Sequence, residues 1–233
     1  MHNKKKNFIA IPKDAASIII LRERKGKIYV LMGKRPENSR FMPGVYVFPG
    51  GVLERKDYLT KNIFNPDIDP HKHKLKTRNE SHAIAIFYAA IRETFEETGL
   101  YLSQKAQHPV NPKFLDGIYR ENLNKYSLIP DIKKLIFFGR AITPSFLKKR
   151  YHARFFLSLF ENFNGNLKAN GELENLSWIN IYEAKNKNIA DVTEFMIDQV
   201  ISLKGNYKLS NNRFSYPMFT WRNKKRWIKW ENL

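Results

Sequence analysis

One stretch of the chain, residues 92–100, places three carboxylates within little more than one helical turn. Glu93, Glu96 and Glu97 stand at positions i, i+3 and i+4, so on a helix they share one face. Like charges at this spacing destabilise a helix by roughly a few tenths of a kcal/mol per pair. A chain folded for stability alone avoids such a face unless basic side chains or a metal ion neutralise it. The stretch therefore indicates a helix that presents a cation site.

The residues around these carboxylates predict a long helix over residues 82–98. Its apolar residues recur every three or four positions, as on the buried side of a helix: Ala83, Ile84, Phe87, Ala90, Ile91 and Phe95. Ser81 is the expected N-cap, and Gly99 is the expected C-terminal stop. We expect one side of this helix to be buried while the carboxylates face another direction.

The rest of the chain predicts strands and helices in alternation. The predicted strands cover residues 17–21 and 27–32 as a hairpin, then 45–48, 134–141, 153–160 and 176–181. The other predicted helices cover residues 181–186 and 191–203. This alternation predicts an α/β or α+β layer architecture around a mixed sheet. We expect one domain over residues 1–233, with a core at about 14–205, an inserted loop at about 54–80 and a basic aromatic tail at about 206–233.

Composition bounds the class of protein. Hydrophobic residues make up 42% of the chain, which is ample for a packed core. No apolar run approaches the length that a membrane helix needs, so no membrane partner is expected. The absence of cysteine excludes disulfides and is consistent with a cytoplasmic location. A net charge of +19 invites an anionic partner. General compositional bias is the favoured explanation of this charge. Of the two anionic partners considered, a phosphate-rich small substrate is favoured over nucleic acid.

Two glycines, Gly50 and Gly51, precede the acidic helix and let the backbone approach a ligand closely. Hard divalent cations prefer oxygen ligands and often bridge carboxylates to substrate phosphates. Arg92 is expected to hold one carboxylate in place through a bidentate contact. These residues predict a metal site between a loop and a helix. A solvated acidic face paired with nearby lysines is the alternative that the carboxylates alone leave open.

The same residues resemble the box of the Nudix hydrolase family. That box runs Gly, five residues, Glu, seven residues, then Arg-Glu, an apolar residue, any residue, Glu-Glu, any residue, Gly and an apolar residue. Residues 92–100 match its second half, except that Thr94 replaces the apolar residue. Gly51 matches its start, but 40 residues separate Gly51 from Arg92 instead of 13. We assign no residue to the first glutamate, although Glu54 lies near its place.

The resemblance implies a Nudix-type α/β/α sandwich and a hydrolase that needs Mg²⁺ or Mn²⁺. It implies Glu93 and Arg92 as catalytic residues, Gly50 and Gly51 as the substrate loop, and four metal ligands: Glu93, Glu96, Glu97 and Glu172. Glu172 comes from a loop before a late strand, where relatives often supply a further acid. Four arginines are candidate phosphate contacts: Arg35, Arg40, Arg140 and Arg154.

An insertion inside the box makes the chain similar to the branch that includes peroxisomal coenzyme A diphosphatases. The expected reaction is cleavage of a diphosphate linkage in a small nucleoside diphosphate derivative, with coenzyme A or acyl-CoA as the first candidate. An ADP-ribose or nucleotide-sugar diphosphatase is the second. A Nudix domain that binds RNA or an effector through the basic tail is the third. Homodimers are common in the family, so a homodimer is a further expectation.

Overall fold

A computed structural model describes residues 9–59, 74–107, 117–207 and 215–232 of the chain. The middle of the predicted insertion, residues 60–73, lies outside the described residues, as does part of the predicted tail, residues 208–214. At its start the insertion forms a short helix, α1 (Arg55–Leu59). In the described parts of the chain, no helix is both long and apolar enough to cross a membrane.

A mixed sheet of nine strands dominates the described part of the fold. Its strands in chain order are β1 (Lys13–Arg24), β2 (Lys27–Lys34), β3 (Tyr46–Val47), β4 (Gly50–Val52), β7 (Ile136–Ile142), β8 (Tyr151–Leu159), β10 (Glu174–Asn180), β11 (Ser215–Arg222) and β12 (Lys225–Asn232). Seven of them lie in the order β10, β2, β1, β8, β7, β11, β12, while β3 pairs with β2 and β4 with β1. Strand β8 is parallel to β1, and β11 is parallel to β7, so the sheet is mixed as expected.

Within the described residues, a small sheet and three further α-helices accompany the main sheet and α1. The small sheet contains β5 (Tyr101–Lys105), β6 (Leu128–Pro130) and β9 (Phe163–Asn164). The helices are α2 (Glu80–Thr98), α3 (Gly117–Tyr126) and α4 (Asp191–Ser202). The helix predicted at residues 181–186 is only a 3-10 turn over Ala184–Asn186. Another 3-10 turn covers Ile132–Lys134. The strand predicted to begin at residue 134 therefore begins at Ile136.

Alternating side chains of β1 build a core on each face of the main sheet. Ile18 and Ile20 pack with α2 in one apolar cluster, whereas Ile19 and Leu21 join a second cluster with α4. Side chains along a strand point to opposite faces, so an apolar run such as this is buried on both sides. The fold is therefore the predicted sandwich, with one long helix and the acidic residues on one side of the sheet.

Helix α2 begins and ends through two distinct caps. The Asn79 side chain accepts a hydrogen bond from the backbone N–H of His82 at 2.9 Å, so Asn79 is the N-cap and the prediction of Ser81 was wrong by two residues. At the other end, Gly99 has a φ of 73°, and its N–H donates to the Phe95 carbonyl. This left-handed position favours glycine, as expected for a C-terminal stop.

The predicted tail contributes two strands of the main sheet. Strand β11 pairs with β7 in the parallel direction, and β12 pairs with β11 as a hairpin. The Glu231 carboxylate accepts two hydrogen bonds from the Arg140 guanidinium, at 2.7 and 2.8 Å. The end of the chain therefore packs on the sheet and is tied to it by a largely buried ion pair.

Candidate metal and active site

The Gly50 backbone fixes the orientation of Glu97 across the site. Its N–H donates to Glu97 Oε2 at 2.8 Å, although 47 positions separate the two residues. Gly50 has a φ of 149°, and a Cβ there would lie 2.3 Å from the Ala16 carbonyl oxygen. Only glycine fits this conformation and this close approach. Gly50, the first residue of strand β4, thus delivers a backbone donor to the acidic helix.

Gly51 leaves the space in which the Glu93 carboxylate lies. A Cβ on Gly51 would stand 2.4 Å from the Glu93 carboxyl carbon. Glu93 Oε1 accepts a hydrogen bond from Arg92 Nη1 at 2.9 Å. The first half of the predicted box therefore contacts the second half directly, despite the 40 residues that separate Gly51 from Arg92.

Arg92 is the centre of the buried charge network, with only 1% of its surface exposed. Its Nε and Nη2 donate to the two carboxylate oxygens of Asp57 at 2.8 and 3.0 Å, which is a bidentate pair. Nη2 also donates to the Val52 carbonyl, and Nη1 donates to Glu93 and Glu96. Burial alone would lower the pKa of Arg92, but the bonds to Asp57 and the surrounding carboxylates raise it above its usual value. Arg92 is therefore charged, and its strongest partner is Asp57.

Asp57 was missing from the predicted site, yet it is fully buried. The sequence does carry a signal for it. Five residues, 52–56, separate Gly51 from Asp57, and the same spacing separates the glycine of the box from its first glutamate. Aspartate therefore stands where the box has its first glutamate, a position to which the sequence analysis assigned no residue. The residues that are additional to the box follow Asp57, within the insertion predicted at about 54–80.

Glu96 contacts two basic side chains, unlike Glu93 and Glu97. Its Oε2 accepts from Arg92 Nη1 at 2.8 Å, and its Oε1 lies 3.3 Å from Lys56 Nζ. Lys56 also pairs with Glu54 at 3.3 Å. Of the three carboxylates that share the helix face, Glu96 alone does not line the neighbouring cleft. The helix thus presents two acids to the cleft and one to α1.

A cleft of about 1060 Å³ opens next to these acids. At its acidic end lie Gly50, Gly51, Glu93, Glu97 and Glu172, which brings five of the seven predicted site residues together. Glu54 lines the cleft as well. The rest of the lining is mainly apolar and aromatic, and it includes Phe41, Met42, Phe146, Leu147, Tyr151 and Trp221.

The four candidate phosphate-binding arginines do not lie together. Arg35 lines the cleft and donates through Nε to the Phe41 carbonyl at 2.8 Å. Arg40 is exposed and does not line the cleft. Arg140 and Arg154 are buried in ion pairs with Glu231 and Asp14, and the strand neighbours Ala141 and Ala153 line the cleft in their place. A shift of one residue along a strand changes the face, so neither arginine contacts a ligand in the cleft.

Burial governs the acidity of the two carboxyls that line the cleft. It raises the pKa of Glu93 to about 7 and the pKa of Glu97 to about 8. The charge of Glu172 raises both values further, whereas Arg92 opposes the shift at Glu93 and the Gly50 N–H opposes it at Glu97. These carboxyls therefore carry a desolvation penalty that the protein's own cations offset only in part.

The residues fit a hard divalent cation by charge and donor type. In the parts of the chain that the structure describes, no three acidic or histidine side chains are gathered as a ready cluster of metal ligands. Glu93 and Glu96 bind Arg92, and Glu97 binds Gly50. Even so, the groups at the end of the cleft are carboxylates, which Mg²⁺ and Mn²⁺ prefer, and their charges are incompletely offset. Glu93, Glu97 and Glu172 are the residues that would hold the ion.

Removing the Asp57 carboxylate should strongly destabilise the fold. In Asp57→Ala, the buried Arg92 charge loses its bidentate partner, and breaking such a pair costs about 3–5 kcal/mol. Urea unfolding would measure the free energy of unfolding. Asp198→Ala removes a carboxylate from an exposed pair with Lys185 and should cost at most about 1 kcal/mol. Equal losses in the two variants would contradict the role assigned to Asp57.

In the absence of divalent cations, stability should fall between about pH 6.5 and pH 8.5. The pKa values of Glu93 and Glu97 are higher in the folded chain than in the unfolded chain, so the folded chain binds more protons here and loses stability as pH rises. His152, whose pKa burial lowers to about 3, opposes this trend only below that window. The expected loss is on the order of 2 kcal/mol.

Urea unfolding in EDTA at several pH values would measure this loss. Glu97→Gln should remove most of the pH dependence, and Glu183→Gln, an exposed acid outside the cleft, should leave it unchanged. A flat profile for the unmodified chain would contradict the desolvation of the two carboxyls.

Comparisons with known proteins agree with the fold. No family model matches the chain. A Caenorhabditis elegans protein named "Putative nudix hydrolase 7" is 26% identical over 174 residues, which cover 72% of this chain and 51% of that protein. The chain thus spans about half the length of this curated relative.

A solved structure extends the likeness to the whole architecture. The crystal structure of a NUDIX hydrolase from Alicyclobacillus acidocaldarius has a TM-score of 0.66 to this chain at 21% sequence identity. The match covers 88% of this chain and 98% of that one. At this identity the likeness shows the fold. The chain therefore has the fold of that Nudix hydrolase, and its sequence is similar to that of the C. elegans protein.

Proposed function

We propose that this protein is a metal-dependent hydrolase that cleaves a diphosphate linkage in a nucleoside diphosphate derivative. The observation that carries the proposal is the placement of Glu93, Glu97 and Glu172 in the lining of one large cleft, together with Gly50 and Gly51 of strand β4. A purely binding module has little use for buried carboxyls that repel one another. A diphosphate substrate would also supply the anion that a divalent cation bridges to carboxylates.

Each residue of the site then has a distinct task. When bound, Mg²⁺ or Mn²⁺ would neutralise phosphate charge and lower the pKa of water to make it a nucleophile. The Gly50 N–H holds the Glu97 carboxylate toward the cleft, and Arg92 orients Glu93. Glu93, which Arg92 orients beside Gly51, suits the role of general base that accepts the water proton. In-line attack of that water on one phosphorus would release two phosphate-bearing products.

Coenzyme A or an acyl-CoA is the substrate that we propose first. A cleft of about 1060 Å³ is large enough for such a molecule. Its acidic residues suit a cation and a diphosphate, and its apolar lining, which includes Phe146, Leu147 and Trp221, suits a long organic arm. The net charge of +19 would favour a substrate with an additional phosphate. A cytoplasmic location and a homodimer remain parts of the proposal.

Replacing the Glu97 carboxylate tests the reaction class. Glu97→Gln should lower kcat with Mg²⁺ by at least about 100-fold, because a metal site contributes several kcal/mol to transition-state stabilisation and each 1.4 kcal/mol is worth about tenfold. Glu183→Gln is the matched control and should retain full turnover. Wild-type turnover in Glu97→Gln would contradict the assigned site.

A substrate panel separates the candidate reactions. Coenzyme A, acyl-CoA, ADP-ribose, a nucleotide sugar and a dinucleoside polyphosphate would be assayed at equal concentration, and kcat/KM compared. The proposal predicts the highest value for coenzyme A or its acyl derivative. Turnover of ADP-ribose without turnover of coenzyme A would replace the first substrate and leave the reaction class intact.

A further inference from the structure

Helix α1 directs two neighbouring residues of opposite charge at the acidic helix. Asp57 pairs with Arg92, and the residue before it, Lys56, pairs with Glu96. The short helix thus supplies an anion to the arginine of the acidic helix and a cation to one of the glutamates of that helix. The second of these contacts has no place in the proposed mechanism.

Both carboxylate oxygens of Glu96 have a protein cation as partner. Oε2 accepts from Arg92 Nη1 at 2.8 Å, and Oε1 lies 3.3 Å from Lys56 Nζ. Glu54, which lines the cleft, also lies 3.3 Å from the same ammonium group. Lys56 therefore bridges two carboxylates, as a divalent ion would, but with a single charge.

Glu93 and Glu97 are not compensated in this way. Arg92 contacts one oxygen of Glu93, and a neutral backbone N–H contacts one oxygen of Glu97. Both line the cleft together with Glu172. The acidic residues are therefore divided into a group that lacks sufficient positive charge and a group, Glu54 and Glu96, that already has it.

Ordinary surface stabilisation does not account for Lys56. Its side chain is 36% exposed, and pairs of such exposure contribute little to folding. Its position next to the cleft acids has a larger electrostatic consequence, since a fixed positive charge there repels any divalent ion that approaches Glu54 and Glu96.

We propose that Lys56 is a built-in cation that takes the place of one metal ion at Glu54 and Glu96. The site would then hold its divalent ion at Glu93, Glu97 and Glu172 alone. This inference rests on the proposed function, because it concerns how many ions the same site holds. It also revises the expectation that Glu96 is a metal ligand in the unmodified chain.

Counting bound Mn²⁺ tests the proposal without any activity assay. Purified protein would be titrated with Mn²⁺, with free ion measured by electron paramagnetic resonance and binding heats by calorimetry. Lys56→Met keeps the length of the side chain but removes its charge, and we expect it to bind one more Mn²⁺ per chain than the unmodified protein. Lys56→Arg retains a cation and should restore the original count.

Two further variants show where the additional Mn²⁺ of Lys56→Met binds. Lys185→Met is the matched control, since Lys185 is also 36% exposed and pairs with a carboxylate, Asp198, away from the cleft. It should leave the count unchanged. Adding Glu96→Gln to Lys56→Met should abolish the gained ion. Identical counts and affinities in the unmodified chain and in Lys56→Met would overturn the proposal.

The same titration separates this proposal from the proposed function. Glu97→Gln should lose the ion that the unmodified chain binds. If the unmodified chain and Glu97→Gln bind Mn²⁺ equally, the catalytic metal site is wrong. A gain in Lys56→Met that Glu96→Gln removes would still support the role of Lys56.

Discussion

The buried pair between Arg92 and Asp57 is the interaction on which the site depends. One charge comes from the long helix α2 and the other from α1, at the start of the insertion. Neither charge is stable inside the protein without the other. With its remaining donors, Arg92 holds Glu93, Glu96 and the Val52 carbonyl, so the pair joins a strand end, two helices and the acids.

We propose that unequal charge compensation prepares the acidic helix for a divalent ion. Glu96 meets two cations, whereas Glu93 and Glu97 face the cleft with pKa values raised to about 7 and 8. A divalent ion held by these carboxyls would lower the penalty of keeping them ionised beside Glu172. In this proposal, the incompletely offset negative charge of the free protein is the source of affinity for the ion.

Sequence reasoning predicted the mixed sheet and the long helix from the pattern of apolar residues, which is a local signal. The sandwich was implied by the resemblance to the Nudix box. The two glycines and the acidic helix together predicted a site between residues 50–51 and the helix. Asp57 was not predicted because the box has glutamate at this position. In addition, 40 residues separate Gly51 from Arg92 instead of the 13 of the box. Sequence reasoning placed Arg140 and Arg154 among the phosphate contacts because composition does not reveal which face of a strand a side chain occupies. The pairing of β11 with β7 joins distant segments and leaves no local signature.

Anomalous diffraction from a crystal soaked in Mn²⁺ tests the central claim most directly. The account predicts a manganese peak at the acidic residues of the cleft, coordinated by Glu97 together with Glu93 or Glu172. The peak should lie beside Gly50 and Gly51 of strand β4 and away from Lys56. A peak confined to the surface, or none at these carboxylates at a pH where both are ionised, would contradict the assignment of this cleft as a metal site.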